Sequence, residues 1–457
     1  MRVSMSRSVA TVLATVLAGA LVLLAGPTAS ATQPVARSPH HHRQVIKVKV
    51  DPRLFGVHDA HLASLTRKGT GSLRLWDTGT KWADLEPTEG HWSWRRLDTI
   101  VTRAHANHTQ VTLVLGLSPD YAAARPTDSP DLKKYQTYLR TVMTRYSRAR
   151  WGYRGIAAYQ VWNEANIATF WTGTVGEIAQ LTKAAYDVRN QVDRGALIVA
   201  PAMVTRLKYE QKGISRFYRA TVPSTGKPVW RYVDAISLNL YPTDRVTTSS
   251  GRTRPATPED AIALLNTVRG RLARAHVPAS IPIWNTEINY GMRTGTMAGR
   301  RAATISSSRQ IAYVMRSFLL NAARGVKRVD WYAYDMGELP GGGTLGNTLL
   351  TDPHHQASGA RTPAGRAFTR VQAWMKGTLV GTATKRPCIA DRRGTYTCTI
   401  RYAHGVGRVY WNPYRKAKVR LVKSARKSVN ELGVRSRVKG GQKLRVNYRP
   451  VLVKSTR

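Results

Sequence analysis

Cysteine is almost missing: the 457 residues hold two, Cys388 and Cys398. Two sulfurs exclude a zinc cage built on thiolates. Neither has a neighbouring histidine motif that would make it a catalytic thiol. So close a pair in an exported chain reads as one disulfide closing a short loop. Acids are scarce as well: 26 Asp and Glu stand against 71 Lys and Arg, a formal charge of +45. That balance speaks to partners rather than to fold, and an anionic glycan, an anionic cell-wall polymer and nucleic acid are the candidates. A general arginine bias explains it equally well. The aromatic-basic motifs of common nucleic-acid modules are absent, so no nucleic-acid partner is expected. Beyond the N-terminal segment no run is long and apolar enough to span a bilayer. Gly341-Gly342-Gly343 lacks the Lys-Ser/Thr and helix start of a phosphate loop. His354-His355 are adjacent and poorly placed to share an ion. No metal and no cofactor are expected.

What is present begins with a leader. Arg2 and Arg7 precede an apolar run, Val9 to Ala25, then Pro27 and the small residues Ala29-Ser30-Ala31. This is a secretory signal over residues 1–31, with an uncleaved anchor as the alternative. Residues 32–50 carry Pro34, Pro39 and a His40-His41-His42 tract without apolar periodicity, and read as a linker.

From Leu54 onward, short and nearly continuous apolar runs alternate with helical spacing. The runs are Leu54–Val57, Leu73–Trp76, Val111–Leu115, Ala158–Trp162, Leu197–Ala200, Ala235–Leu240, Ile281–Asn285 and Val329–Tyr334. Buried parallel strands look like this. Leu132–Ser147, Val175–Val192, Pro258–Ala275 and Ser306–Arg324 carry helical spacing. Eight strands and intervening helices predict an α/β fold, a (β/α)8 TIM barrel over residues 51–376. The pattern then changes. Residues 377–457 show strand runs and turn signals, clearest at Tyr396–Tyr402, Gly407–Trp411, Lys418–Val422 and Leu444–Val453. They predict a small all-β, sandwich-like module. Its only acids are Asp391 and Glu431, against more than twenty Lys and Arg.

Two glutamates stand out. The fourth run leads into Trp162-Asn163-Glu164-Ala165-Asn166, and the seventh into Trp284-Asn285-Thr286-Glu287-Ile288. Barrel active sites form at the C-terminal ends of the strands. The fourth and seventh strands lie on opposite sides of the mouth, so Glu164 and Glu287 can face each other there. Facing carboxylates are what glycoside cleavage needs. A pair of structural salt bridges is the alternative.

With Leu73-Arg74-Leu75-Trp76-Asp77, Trp82, Glu86-Pro87 and Gly90, these residues give a resemblance to glycoside hydrolase clan A. The similarity is nearest to family 39 and the cellulase-like family 5, over roughly residues 54–375. The resemblance implies a retaining mechanism, with Glu164 as acid/base and Glu287 as nucleophile. Asn163 would bind the sugar 2-hydroxyl, Arg74 would keep Glu287 ionised, and Tyr241 would orient it. Relatives often have Pro where Ala165 stands. An aromatic of the eighth strand commonly lies under the sugar. Trp331 and Tyr332 point to opposite faces, and Trp331 is the expected floor. His58, ending the first strand, is a candidate for a sugar hydroxyl, with a structural hydrogen bond as the alternative. Glu86 reads as a loop-shaping residue.

The function this predicts is a secreted retaining hydrolase of a polysaccharide or oligosaccharide. The basic module is a candidate tether to an anionic cell-wall polymer. The alternative is a catalytically inactive glycan-binding protein of the cell surface.

Overall fold

Nearly continuous apolar runs need cover on both faces, and a barrel supplies it with helices outside and the strands closed on themselves inside. The computed structural model does this. It describes residues 45–58, 69–151, 155–248, 250–291, 305–335, 348–351, 360–382 and 385–456. The leader 1–31, Glu338, Gly341-Gly342-Gly343 and His354-His355 lie outside the described residues.

The first strand, β1 (Lys47–Lys49), belongs to the C-terminal module and is taken up below. The barrel strands are β2 (Phe55–His58), β3 (Ser72–Leu75), β4 (Gln110–Val114), β5 (Ala158–Gln160), β6 (Leu197–Val199), β7 (Met203–Val204) and β8 (Ile236–Asn239). After the hairpin β9 (Arg245–Thr247) and β10 (Thr253–Pro255) come β11 (Ile283–Ile288) and β12 (Arg328–Tyr332). All nine barrel segments are parallel, in the order β6-β5-β4-β3-β2-β12-β11-β8-β7. The ends meet at the bridge from Val199 to Ala235, so β6 and β7 are two pieces of the fifth barrel strand.

The helices obey their end signals. Thr174 and Glu177 cap Val175–Val192 reciprocally, and Asp260 accepts from the Thr257 N–H (2.8 Å) and hydroxyl (2.9 Å) ahead of Pro258–Arg274. Ser306 caps Ser307–Ala323. Among the described residues, the helices Arg95–Ala106, Lys208–Arg219 and Pro363–Trp374 went unpredicted, as did the single turns Trp82–Leu85 and Arg148–Trp151.

The remaining strands, β13 (Thr378–Val380), β14 (Cys388–Ala390), β15 (Tyr396–Tyr402), β16 (Gly405–Trp411), β17 (Ala417–Arg420), β18 (Ala425–Asn430), β19 (Arg435–Arg437), β20 (Lys443–Val446) and β21 (Val451–Ser455), form the C-terminal module. Its main sheet runs β1-β13-β15-β16-β21-β18-β19, with β14 on β15. Lys47–Lys49 therefore leaves the expected linker and pairs antiparallel with Thr378–Val380. The expected strand Leu444–Val453 is two strands. Between them Asn447 accepts from the Arg449 N–H, and Pro450 follows. Cys388 and Cys398 are cross-strand partners joined by a disulfide.

One face of this sheet shares its core with the barrel helices: Leu379, Ile400, Val409, Trp411 and Leu452 pack in one cluster with Phe318, Leu319 and Phe368. Trp411 Nε1 donates to Glu259 Oε1 (2.8 Å), and Glu259 forms a buried ion pair with Arg316. The other face is covered by the two-stranded ribbon β17-β20 through Val446, Leu444 and Val419. Tyr410-Trp411-Asn412 is thus buried packing.

Candidate active site

Strand alternation sends Leu73 and Leu75 outward to the helices and Arg74 into the barrel, where it is fully buried. A buried guanidinium needs partners for its fork. Arg74 donates to Gln160 Oε1 (2.8 Å), Asn163 Oδ1 (2.7 Å) and Glu287 Oε2 (3.1 Å). His58 lies 3.4 Å from Arg74 on one side and 3.4 Å from Asp77 on the other.

Glu287 was expected to follow its strand and instead lies within it. The ladders of β11 shift register between Asn285 and Glu287. Such a bulge breaks the two-residue alternation and re-aims a side chain. Thr286 faces inward to Ser237, and its neighbour Glu287 reaches the mouth as well, its side chain only 12% exposed. Tyr241 O–H donates to Glu287 Oε1 at 2.8 Å.

Glu164 sits past β5 with φ +43°. A non-glycine residue in the left-handed region costs on the order of 1 kcal/mol, and such positions cluster where function needs them. Its neighbours hold the turn. Asn166 accepts from Val204 N–H (2.9 Å) and donates to the carbonyls of Val204 and Glu210. Ala165 donates its N–H to the Ala202 carbonyl at 3.0 Å. Proline has no N–H to make that bond.

Asn239 joins the two acids. Its Nδ2 donates to Glu164 Oε1 (2.8 Å) and to Glu287 Oε2 (3.3 Å). The two oxygens that share this nitrogen are therefore at most 6.1 Å apart, the sum of the two contacts. The amide has one orientation because Thr286 Oγ1 donates to its Oδ1 at 2.9 Å. Thr286 is bonded to Ser237 (2.6 Å), and Ser237 accepts from Gln160 Nε2 (2.7 Å). Arg74, Gln160, Ser237, Thr286, Asn239 and Glu287 thus close a hydrogen-bonded ring across four barrel strands.

Burial pushes both carboxyl groups above the usual range. At Glu164 burial is the leading cause, ahead of any charge on Glu287, and the Asn239 donor, Arg206 and Arg74 oppose it. At Glu287 the Arg74 charge is the strongest opposing influence, in direct contact. The Arg74 guanidinium thus favours the ionised form of Glu287, and burial favours the protonated form of Glu164.

Trp331 is a correction. It lies on the helix side of β12, near Tyr290, with Nε1 donating to the Thr348 carbonyl (2.8 Å). Tyr332 faces the mouth instead: its O–H donates to Asp77 Oδ2 (3.1 Å) and its ring meets His58 edge-on. The structure brings Glu164, Glu287, Asn163, Arg74, His58 and Tyr241 together and leaves Trp331 outside. Sequence reading passed over Tyr332 in favour of Trp331, and missed Asn239, Gln160, Ser237 and Thr286. The signal was there for four of them: each is a polar residue inside a buried strand. Glu86 shapes its loop, accepting from Trp82 Nε1 (2.9 Å) and Gly90 N–H (3.0 Å).

No protein-family model and no curated protein matches the sequence. Solved structures match the fold. A family 39 glycoside hydrolase from Bacteroides cellulosilyticus WH2 aligns at TM-score 0.62 and 14% identity over 89% of this chain and 82% of its own. A glucosidase from Croceicoccus marinus aligns at 0.59 and 12% over 91% and 99%. The GH39 enzyme from Xanthomonas axonopodis pv. citri aligns at 0.57 and 15% over 90% and 95%. The fold of this chain, barrel and β module together, is that of these (β/α)8 glycoside hydrolases.

Proposed function

We propose that the chain is a retaining glycoside hydrolase acting outside the cell on O-glycosidic bonds of a polysaccharide or oligosaccharide. The observation that carries this reading is the pair of carboxylates sharing the Asn239 amide, no more than 6.1 Å apart at their nearest oxygens. Retaining pairs lie about 5–5.5 Å apart, and inverting pairs about 6.5–9.5 Å because a water stands between them; here a single amide nitrogen, in place of a water, bridges the two carboxylates, which supports the shorter spacing. The likeness to glycoside hydrolase structures supports the same reading. The signal-like leader supports export.

In the first step Glu287 attacks the anomeric carbon while the bond to the leaving oxygen breaks and Glu164 protonates that oxygen. In the second, Glu164 takes a proton from water, whose oxygen displaces Glu287 from the sugar. Both side chains are then back in their starting states. Arg74 and Tyr241 hold the attacking carboxylate in line. Asn163 spends its amide oxygen on Arg74 and keeps its NH2 for a sugar hydroxyl. Asp77 and Tyr332 line the mouth near Glu287 as further sugar contacts, and His58, fully buried between Arg74 and Asp77, supports them from behind. The basic module holds the enzyme on an anionic wall polymer.

Glu287→Gln is expected to lower kcat on aryl glycosides by about 10³-fold or more, since the covalent step is lost. Glu164→Gln is expected to lose roughly 10²–10⁴-fold on substrates whose leaving group needs a proton, and far less on dinitrophenyl glycosides. Variants as active as the parent on both substrate types would sink the assignment. So would a product of inverted configuration by NMR.

A further inference from the structure

The ribbon β17-β20 has two unlike faces. Val419, Leu444 and Val446 turn toward the sheet. On the other face Lys418 stands directly across from Arg445, and Arg420 across from Lys443. Like charges directly opposite each other weaken a strand pair. Two such pairs in succession, two residues apart, set cations at a spacing of about 6.8 Å along the ribbon. Sheet stability alone does not account for that arrangement.

The ribbon borders a cleft of about 710 Å³. Arg393, Arg415, Lys416, Lys418 and Arg445 line it, with Asp391 as its single acid. That carboxylate is turned to the N–H groups of Arg393 and Thr395, 2.8 Å from each. Among the described residues, the side chains of Lys416, Lys418 and Arg445 have no ion-pair or hydrogen-bond partner. No Trp, Tyr or Phe lines the cleft. It therefore has no platform for stacking bases. What it presents is guanidinium forks and ammonium groups, which fit carboxylates and phosphates.

The geometry points to this cleft as the binding site for a linear anionic cell-wall polymer, whose carboxylate or phosphate groups seat against the facing cations Lys418 and Arg445. The inference rests on the tether reading of the module and names the place where the polymer is held. A bound anion removes the cross-strand repulsion, so binding also stabilises the ribbon. The site is separate from the catalytic carboxylates.

The test uses the full chain, because the module shares its core with the barrel and cannot be cut away cleanly. Binding to immobilised polygalacturonate and to poly(glycerol phosphate) is measured for the parent, for Lys418→Thr with Arg445→Thr, and for Lys427→Thr with Arg437→Thr. The second pair is also cross-strand and exposed, but lies outside the cleft. Circular dichroism and turnover of an aryl glycoside check that both variants fold. The expected result is at least a tenfold loss for the cleft pair and less than a threefold loss for the outside pair, at equal ionic strength. A loss confined to one polymer supports the site and identifies its anion as carboxylate or phosphate. Equal losses for both pairs overturn the cleft and leave the tether standing on diffuse charge. No binding of the parent to either polymer overturns both. A nucleic-acid single strand held as tightly, with the same dependence on the cleft, overturns the assignment to a cell-wall polymer.

Discussion

The barrel mouth and the outer ribbon of the β module both gather charge of one sign, and they treat it in opposite ways. In the mouth, Glu164 and Glu287 are drawn to one amide and enclosed by donors, with Arg74 fully buried beside them. On the ribbon, Lys418 and Arg445 face each other in water, and among the described residues neither side chain has a partner. A buried charge must have a partner in good geometry or it costs several kcal/mol, so burial enforces a single arrangement. Exposed charges are screened by solvent and salt, so they tolerate crowding and attract counter-charges of many shapes. The first suits a reaction that needs atoms held to a fraction of an ångström. The second suits retention on a polymer.

The comparison can be pressed hardest where charge is buried without chemistry. Glu259 and Arg316 have side chains 3% and 0% exposed, and they link the barrel to the module through Trp411. Glu259→Gln is expected to destabilise the chain by about 3–5 kcal/mol in urea unfolding, because a buried guanidinium loses its counter-charge. Replacing both residues by Met is expected to recover most of that loss. If the single change costs no more than an exposed pair would, the contrast drawn above fails.

Asn239 tests the mouth itself. Its donor favours the ionised form of Glu164. Asn239→Ala removes that donor, so the Glu164 proton is held more tightly. The basic limb of the kcat/KM profile, which reports loss of that proton, is expected to move to higher pH. Turnover is expected to fall about 10–100-fold as both carboxylates lose their shared anchor. An unmoved basic limb would reduce Asn239 to a packing role.

The ribbon carries the smallest effect. Lys418→Thr with Arg445→Thr is expected to raise stability by about 0.2–1 kcal/mol in low salt, and by less in high salt as screening does the same work. Destabilisation in low salt would mean that the facing cations are not repelling each other.

Much of this was legible in residue order. The runs at Leu73–Trp76 and Val111–Leu115 marked barrel strands because a strand buried on both faces is mostly apolar, here interrupted only by Arg74 and Thr112. Asn163-Glu164 and Glu287 were legible because acids are rare here and both fall at strand ends. The helix Lys208–Arg219 was not, since Glu210, Gln211 and Gly213 stand on its buried face in place of apolar residues. Tyr332 was misjudged against Trp331 because alternation gives two phases and only packing chooses one. Asn239 and Gln160 stood out as polar residues in buried strands, but their roles were hidden because their partners lie far away in sequence.

The sequence by itself determined the alternation of strands and helices, the two glutamates and the surplus of positive charge. These follow from local hydrophobic spacing and from counting residues. Only the tertiary structure decided that a bulge turns Glu287 into the mouth, that one amide ties it to Glu164, and that Lys47–Lys49 completes a sheet more than three hundred residues away. Each of those depends on groups that meet only when the chain closes. A hydrogen bond or a cross-strand pair between distant residues leaves no periodic trace in either segment.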